Sequence, residues 1–189
     1  QTGGERRARL SAEVRALDLA QIAPGLATRL TGEVEVDGRW GEQPSGRAAL
    51  SLRDSLVLGH ALEGQAKLAA LGESLELDAA LRSGAARLNA QGALGAGRSL
   101  TLELDLPKLA ELDVGLGGGV HASAVLSGSL RQPAFELQAT AHDLVLPGEL
   151  RAGGASLEAR GVWHSDAEFR GELQVTELTH ASPLLSFPQ

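Results

Sequence analysis

The sequence contains no cysteine, no tyrosine and no methionine, and only 3% of its residues are aromatic. Without cysteine, the chain can form neither a disulfide scaffold nor a cysteine-ligated zinc site. A cysteine-free chain also suits an oxidising compartment. Aromatic side chains normally supply much of the buried area of a compact β-sandwich. Their scarcity indicates that the apolar residues of this chain are organised differently.

Clustered basic residues and long apolar runs are also missing. The 189 residues carry a formal net charge of -7, and the run Arg6-Arg7 is short. Nucleic-acid binding needs grouped Lys and Arg side chains to contact phosphates, so no nucleic-acid partner is predicted. No apolar run reaches the roughly 18 residues of a membrane-spanning helix.

Alternation of apolar and polar residues dominates what is present. Leu100, Leu102 and Leu104 alternate with Thr101 and Glu103, and similar runs recur along the chain. This period predicts strands with one apolar and one polar face. The turn signals between the runs include Asp37-Gly38, Gly72, Ser83-Gly84, Pro147-Gly148 and Gly153-Gly154. Their spacing predicts roughly 13 to 16 short strands.

Helical features are confined to two short segments, LDLAQIAPGL from residue 17 and LDLPKLAEL from residue 104. Asp18 and Asp105 are the candidate N-cap residues, and Pro107 fits the first helical position. The sequence therefore predicts an all-β fold with one or two very short helices.

An internal repeat links these two segments. Gly32 matches Gly119 at an offset of 87, the offset of the two LDL triplets, and Asp54 matches Asp143 at 89 after an insertion. Glycines, prolines and alternating leucines carry the match, and these residues set turns and faces. We predict a first repeat over 1–95, entered partway, a second over 96–176, and the start of a further connection over 177–189, all in one continuous sheet.

No motif with catalytic or ligand-binding chemistry stands out. The glycines from Gly115 to Gly119 precede an alternating strand rather than the helix that a phosphate loop needs. The five histidines lack metal-ligand spacing, and no acid, base and nucleophile occur in a recognisable pattern. The acidic residues alternate with apolar ones and fit a solvated outer face. We therefore predict no enzyme, no metal and no cofactor.

Two segments resemble the TamB family, which is related to the AsmA-like proteins. They are LDLAQIAPGLATRLTGEVEVDGRWGEQPSGRAALSLRD and the stretch that begins LDLPKLAEL and continues through GGGVHASAVLSGSLRQPAFELQATA to EARG. In each, an LDL connection precedes a strand, a glycine, a Gln-Pro pair and another alternating strand. The resemblance covers nearly the whole chain.

The resemblance implies a long, curled, taco-like antiparallel sheet with an apolar inner groove. It further implies an internal periplasmic piece of a Gram-negative protein that is anchored in the inner membrane. This protein would move phospholipid acyl chains between the membranes and meet the outer-membrane barrel TamA through other parts of the chain. The predicted lining residues are Leu50, Leu52, Leu75, Leu77, Leu100, Leu102, Leu104, Leu126, Phe135, Leu137, Leu157, Phe169 and Leu173.

Two alternatives remain open at the level of sequence. The same apolar groove or the sheet edges could hold unfolded outer-membrane protein strands for insertion. The apolar faces could instead close on each other as a β-sandwich interaction module.

Overall fold

A computed structural model describes residues 6–18, 27–40, 45–95, 97–112, 115–148, 150–163 and 168–180. Within these residues, 12 strands form a single antiparallel sheet, which confirms the predicted fold. The strands are β1 (Arg6–Leu17), β2 (Thr28–Trp40), β3 (Ser45–Val57), β4 (His60–Leu71), β5 (Ser74–Ser83), β6 (Ala86–Gly95), β7 (Arg98–Leu106), β8 (Gly117–Gly128), β9 (Pro133–Leu146), β10 (Leu150–Val162), β11 (Glu168–Thr176) and β12 (Thr179–His180).

The sheet is open and follows chain order from β1 to β11, while the short β12 pairs with β10. β1 and β11 form its two edges and do not pair with each other. β6 and β8 contact each other although β7 lies between them, which indicates that the sheet bends there. The β-sandwich alternative is wrong, because the described strands form one sheet and no second sheet covers its apolar face.

The described strands are longer than the sequence predicts. Several run to 12 or more residues, and β9 has 14. Asp37-Gly38 and Gly153-Gly154 were predicted as turns but lie inside β2 and β10. Glycine within a strand allows close approach of neighbouring groups, and a Cβ on Gly153 would collide with the Glu177 side chain.

One 3-10 helix, Leu109–Glu111, follows β7, and we call it the rim helix. The predicted capping is wrong, because β7 continues to Leu106 and places Asp105 opposite His121 in the sheet. Lys108 precedes the rim helix instead and makes no side-chain cap hydrogen bond. The predicted helix from Leu19 onwards lies outside the described residues.

Bulges occur at matching positions of the two predicted repeats. Asp54 in β3 and Asp143 in β9 both have φ of 51°, in the left-handed region. Aspartate tolerates this region better than most residues because its short side chain can form local hydrogen bonds. The sheet also runs from β6 to β7 across residue 95, with Gly92 paired to Leu100. The division into repeats stays a prediction.

Ser55 completes the bulge in β3. Its hydroxyl donates a hydrogen bond to the Thr31 carbonyl and accepts one from the Thr31 N–H, both 2.8 Å long. Ser55 is only 1% exposed. The hydroxyl therefore replaces ladder hydrogen bonds that the bulge removes from β2.

We expect Ser55→Ala to lower the free energy of unfolding by about 2 kcal/mol, because both Thr31 backbone groups lose a buried partner. Urea unfolding followed by circular dichroism measures the loss. Ser51→Ala, on the exposed face of the same strand, serves as the control and should change the value by less than about 0.5 kcal/mol. Equal values for the two variants would contradict this role.

Candidate functional site

The apolar residues of the sheet are aligned by its register. Directly opposed residues of an antiparallel pair lie on the same face, so each chain of paired positions is a row across the sheet. One row, which we call the central row, crosses β1 to β11 without a polar side chain. It consists of Ala12, Val34, Leu50, Ala66, Ala79, Ala90, Leu102, Ala124, Leu137, Ala159 and Gly171.

The rows on either side of the central row are equally apolar. One consists of Leu10, Val36, Ala48, Leu68, Leu77, Gly92, Leu100, Leu126, Phe135, Gly161 and Phe169. The other consists of Val14, Gly32, Leu52, Gly64, Leu81, Leu88, Leu104, Ala122, Ala139, Leu157 and Leu173. We call the three rows together the apolar face.

The structure brings the predicted lining residues together on this face. Twelve of the 13 lie in the three rows, and Leu75 lies in the next row on the same side, opposite Ala70 and Leu94. Whether they contact a ligand stays a prediction. These residues share a face because every second side chain of a strand points to the same side, and the antiparallel register aligns those sides in neighbouring strands.

Most of the apolar face is only half-buried. Leu100 is buried at the bend, whereas Leu102 and Leu137 are partly accessible. At the β11 edge, Phe169 and Leu173 are 77% and 66% exposed. Among the described residues, few apolar side chains are buried, and they lie mainly in β6, β7 and the rim helix. The face is thus an open apolar trough rather than a closed core.

Strand β1 contributes residues to the apolar face that the list of predicted lining residues lacks. Leu10, Ala12 and Val14 alternate with polar residues, so the period-2 signal was present in the sequence. The small residues of β6, Ala90 and Gly92, were also absent from that list. Small side chains give weak hydropathy signals, yet they leave room where a sheet bends.

The rim helix lies against one end of the apolar face. Leu109 is 8% exposed, and the Glu111 carboxylate accepts a hydrogen bond from Ala85 N–H at 3.1 Å, in the turn between β5 and β6. His60 and His142 lie beside it around a shallow depression. The connection between β7 and β8 is therefore held against β8 and the turn between β5 and β6.

We expect Leu109→Ala to reduce the free energy of unfolding by about 2 kcal/mol, since the side chain is nearly buried and alanine would leave a gap. Denaturant unfolding is the measurement. Leu112→Ala, at an exposed neighbouring position, is the control and should have little effect. A loss at Leu112 as large as that at Leu109 would show that Leu109 does not hold the rim helix.

The opposite face is polar and carries ion pairs within and between strands. Glu13, Arg15, Glu33 and Arg53 form an acid–base quartet on β1 to β3, in which Arg15 pairs with Glu13 and Arg53 with Glu33. Arg15 Nη2 donates a hydrogen bond of 2.7 Å to Glu13 Oε2. This hydrogen bond and the charge of Arg15 lower the pKa of the Glu13 carboxyl, and the pKa of Arg15 rises. These exposed pairs keep the outer face hydrated.

Within the part of the chain that the structure describes, no other site with chemistry is found. No group of three or more potential ligands could hold a metal ion. His142 Nδ1 lies 3.1 Å from Asp143 Oδ2, but both side chains are exposed and have no nucleophile beside them. The described helices include none long and apolar enough to cross a membrane.

Comparison with protein families agrees with this geometry. Residues 57–183, about two thirds of the chain, match the family model described as TamB, N-terminal domain. The chain belongs to the TamB family. TamB proteins are transport and assembly modules of the Gram-negative envelope rather than enzymes. No curated protein and no solved structure matches the chain.

Proposed function

We propose that this chain is a periplasmic segment of a TamB-like protein that carries phospholipid acyl chains along its apolar face between the inner and outer membranes. The uninterrupted central row carries the proposal. The full protein would be anchored in the inner membrane and would meet TamA through other segments.

The dimensions support a conduit. Neighbouring strands lie about 4.8 Å apart, so eleven strands give a trough about 50 Å long. Half of a bilayer's hydrocarbon thickness, the reach of one acyl chain, is about 15 Å. The trough is therefore longer than a single chain, and a lipid could occupy successive positions along it.

The energetics also support a conduit. A 16-carbon acyl chain in water costs on the order of 13 kcal/mol relative to an apolar environment, at about 0.8 kcal/mol for each methylene. Leu, Val and Ala side chains remove that cost without directional bonds. Because the contacts along the rows are alike, a chain can slide from one strand to the next without a large barrier.

Mass spectrometry of lipids extracted from the gently purified chain tests the proposal. We expect bound phospholipids at a ratio near one or more per chain. An empty protein that also fails to take up added phospholipid would overturn the proposal.

A scaffold for unfolded outer-membrane strands is the second candidate, favoured by the edges of the sheet. Among the described residues, β1 pairs with β2 alone and β11 with β10 alone, so each edge can add an extended segment. A photocrosslinker at Arg170 in β11 should then capture nascent barrel protein in cells. Capture of barrel protein together with a lipid-free groove would favour this function over the conduit.

A further inference from the structure

Four arginines of β1 to β3 meet at one corner of the polar face. Arg7 of β1 lies directly opposite Arg39 of β2. In the neighbouring row of the same face, Asp37 of β2 lies between Arg9 of β1 and Arg47 of β3. Directly opposed residues have Cβ atoms about 5 Å apart, so four guanidinium groups share this corner with a single carboxylate. We call Arg7, Arg9, Arg39 and Arg47 the arginine corner.

The positive charge of the arginine corner is largely uncompensated. Arg9 Nε lies 3.4 Å from Asp37 Oδ2. Within the described ranges, Arg7, Arg39 and Arg47 are exposed and make no ion pair or hydrogen bond. Like charges directly opposite each other destabilise a strand pair, so a bound anion would relieve the repulsion between Arg7 and Arg39.

Two further opposed arginine pairs have acidic neighbours. Arg160 lies opposite Arg170, with Glu136 on the other side of Arg160 and the opposed residues Glu158 and Glu172 in the neighbouring row. Arg82 lies opposite Arg87, but the same row continues to Glu63 on one side and Asp105 on the other. The acid–base quartet at the far end of β1 to β3 is also balanced. Excess positive charge is therefore a local property of the corner in a chain whose net charge is -7.

The arginine corner adjoins exposed apolar surface. On the other side of the same two strands, Leu10 and Val36 are 59% and 38% exposed. Neighbouring residues of a strand point to opposite faces, so positive charge and apolar surface are separated here by the thickness of one strand. Arginines still outnumber acidic residues, five to four, when four neighbouring residues are added to the count: Arg6 at the start of β1, Glu35 in the next row of the polar face, and Glu5 and Glu42 of the adjoining segments.

We propose that the arginine corner binds the phosphate of anionic phospholipid headgroups while the apolar face takes their acyl chains. Guanidinium groups match phosphate oxygens in a bidentate geometry and stay charged at every physiological pH. The proposal rests on the proposed function and adds a headgroup class to it: anionic phospholipids are preferred to zwitterionic ones.

Vesicle binding tests this inference with the full 189-residue chain. The vesicles contain either phosphatidylglycerol or phosphatidylcholine, and the variant is Arg7→Ala, Arg39→Ala and Arg47→Ala combined. Each arginine near an anionic surface contributes about fivefold, so the triple variant should bind phosphatidylglycerol vesicles about 100-fold more weakly. Binding to phosphatidylcholine should not change.

The control removes the same charge elsewhere, as Arg87→Ala, Arg160→Ala and Arg170→Ala combined. At physiological salt the screening length is about 8 Å, so the control should keep most of the binding to phosphatidylglycerol. Circular dichroism checks that both variants are folded. Equal losses in the two triple variants, or no preference for phosphatidylglycerol in the unchanged chain, would overturn the proposal.

Two further measurements distinguish failure of the headgroup proposal from failure of the proposed conduit. If inorganic phosphate alone shifts the corner's arginine resonances and phosphatidylglycerol vesicles add nothing, the corner binds free anions and the headgroup proposal is wrong. Acyl-chain capture by the corner variant should stay near the unchanged level. If the unchanged chain itself captures no acyl chains, the proposed conduit is wrong, whatever the arginine corner binds.

Discussion

Replacing Leu137 with aspartate is expected to reduce binding of phospholipid acyl chains at β9 on the order of 100-fold. Leu137 lies in the central row, between Ala124 and Ala159. A carboxylate there would face hydrocarbon, and a charged side chain at such a position costs about 2.5 to 3.5 kcal/mol. Leu102→Asp, in the same row on β7, should reduce acyl-chain binding at β7 to the same extent, for the same reason.

The matched control is Thr140→Asp on the same strand. Thr140 is exposed on the polar face, opposite His121 and Ser156. This variant introduces the same charge and the same weak strand former, so it should retain capture of phospholipid. The measurement is photolabelling of β9 in both proteins by a phospholipid that carries a diazirine on its acyl chain, after circular dichroism has shown equal strand content. Comparable labelling of β9 in Leu137→Asp and in the unchanged chain would exclude the central row as the path.

The second large effect concerns the bulge between β8 and β9. Gly118 has φ of 88°, and a Cβ there would collide with the backbone carbonyl oxygens of His142 and Asp143. For alanine, the left-handed conformation costs about 1 to 2 kcal/mol of conformational free energy. The Cβ would also displace the neighbouring strand, which adds a further cost. We expect Gly118→Ala to lower the free energy of unfolding by about 3 to 4 kcal/mol.

Gly148→Ala separates these two contributions. Gly148 has φ of 82° in the turn after β9, and a Cβ there would meet no atom within 4 Å. Only the conformational cost remains, so the loss should be about 1 kcal/mol. Urea unfolding of the two variants side by side is the measurement. Similar losses would show that the close approach of β9 to Gly118 does not stabilise the bulge.

The apolar face could be predicted from sequence because its signal is local. Alternation places Leu100, Leu102 and Leu104 on one side of β7 whatever the neighbouring strands do. An antiparallel sheet with short connections then keeps those residues in register with their neighbours. The open arrangement of the sheet could not be predicted in this way, because the same stripes would also suit a closed sandwich.

Other features depend on contacts between residues that are distant in sequence. Asp105 has the residue type of an N-cap, but pairing with β8 extends β7 past it. Ser55 has a structural role only because a bulge brings it to Thr31. The arginine corner was missed for the same reason, since Arg7 and Arg39 are far apart in the chain and meet through the register of β1 and β2.

Photolabelling with a phospholipid that carries a diazirine on its acyl chain tests the central claim most directly. Labelled peptides should place the lipid on the apolar face along the trough, at Leu50, Leu77 and Leu137. The neighbouring polar-face residues Ser51, Asp78 and Gln138 should stay unlabelled. Equal labelling of the two faces, or labelling confined to one strand, would contradict a continuous apolar conduit.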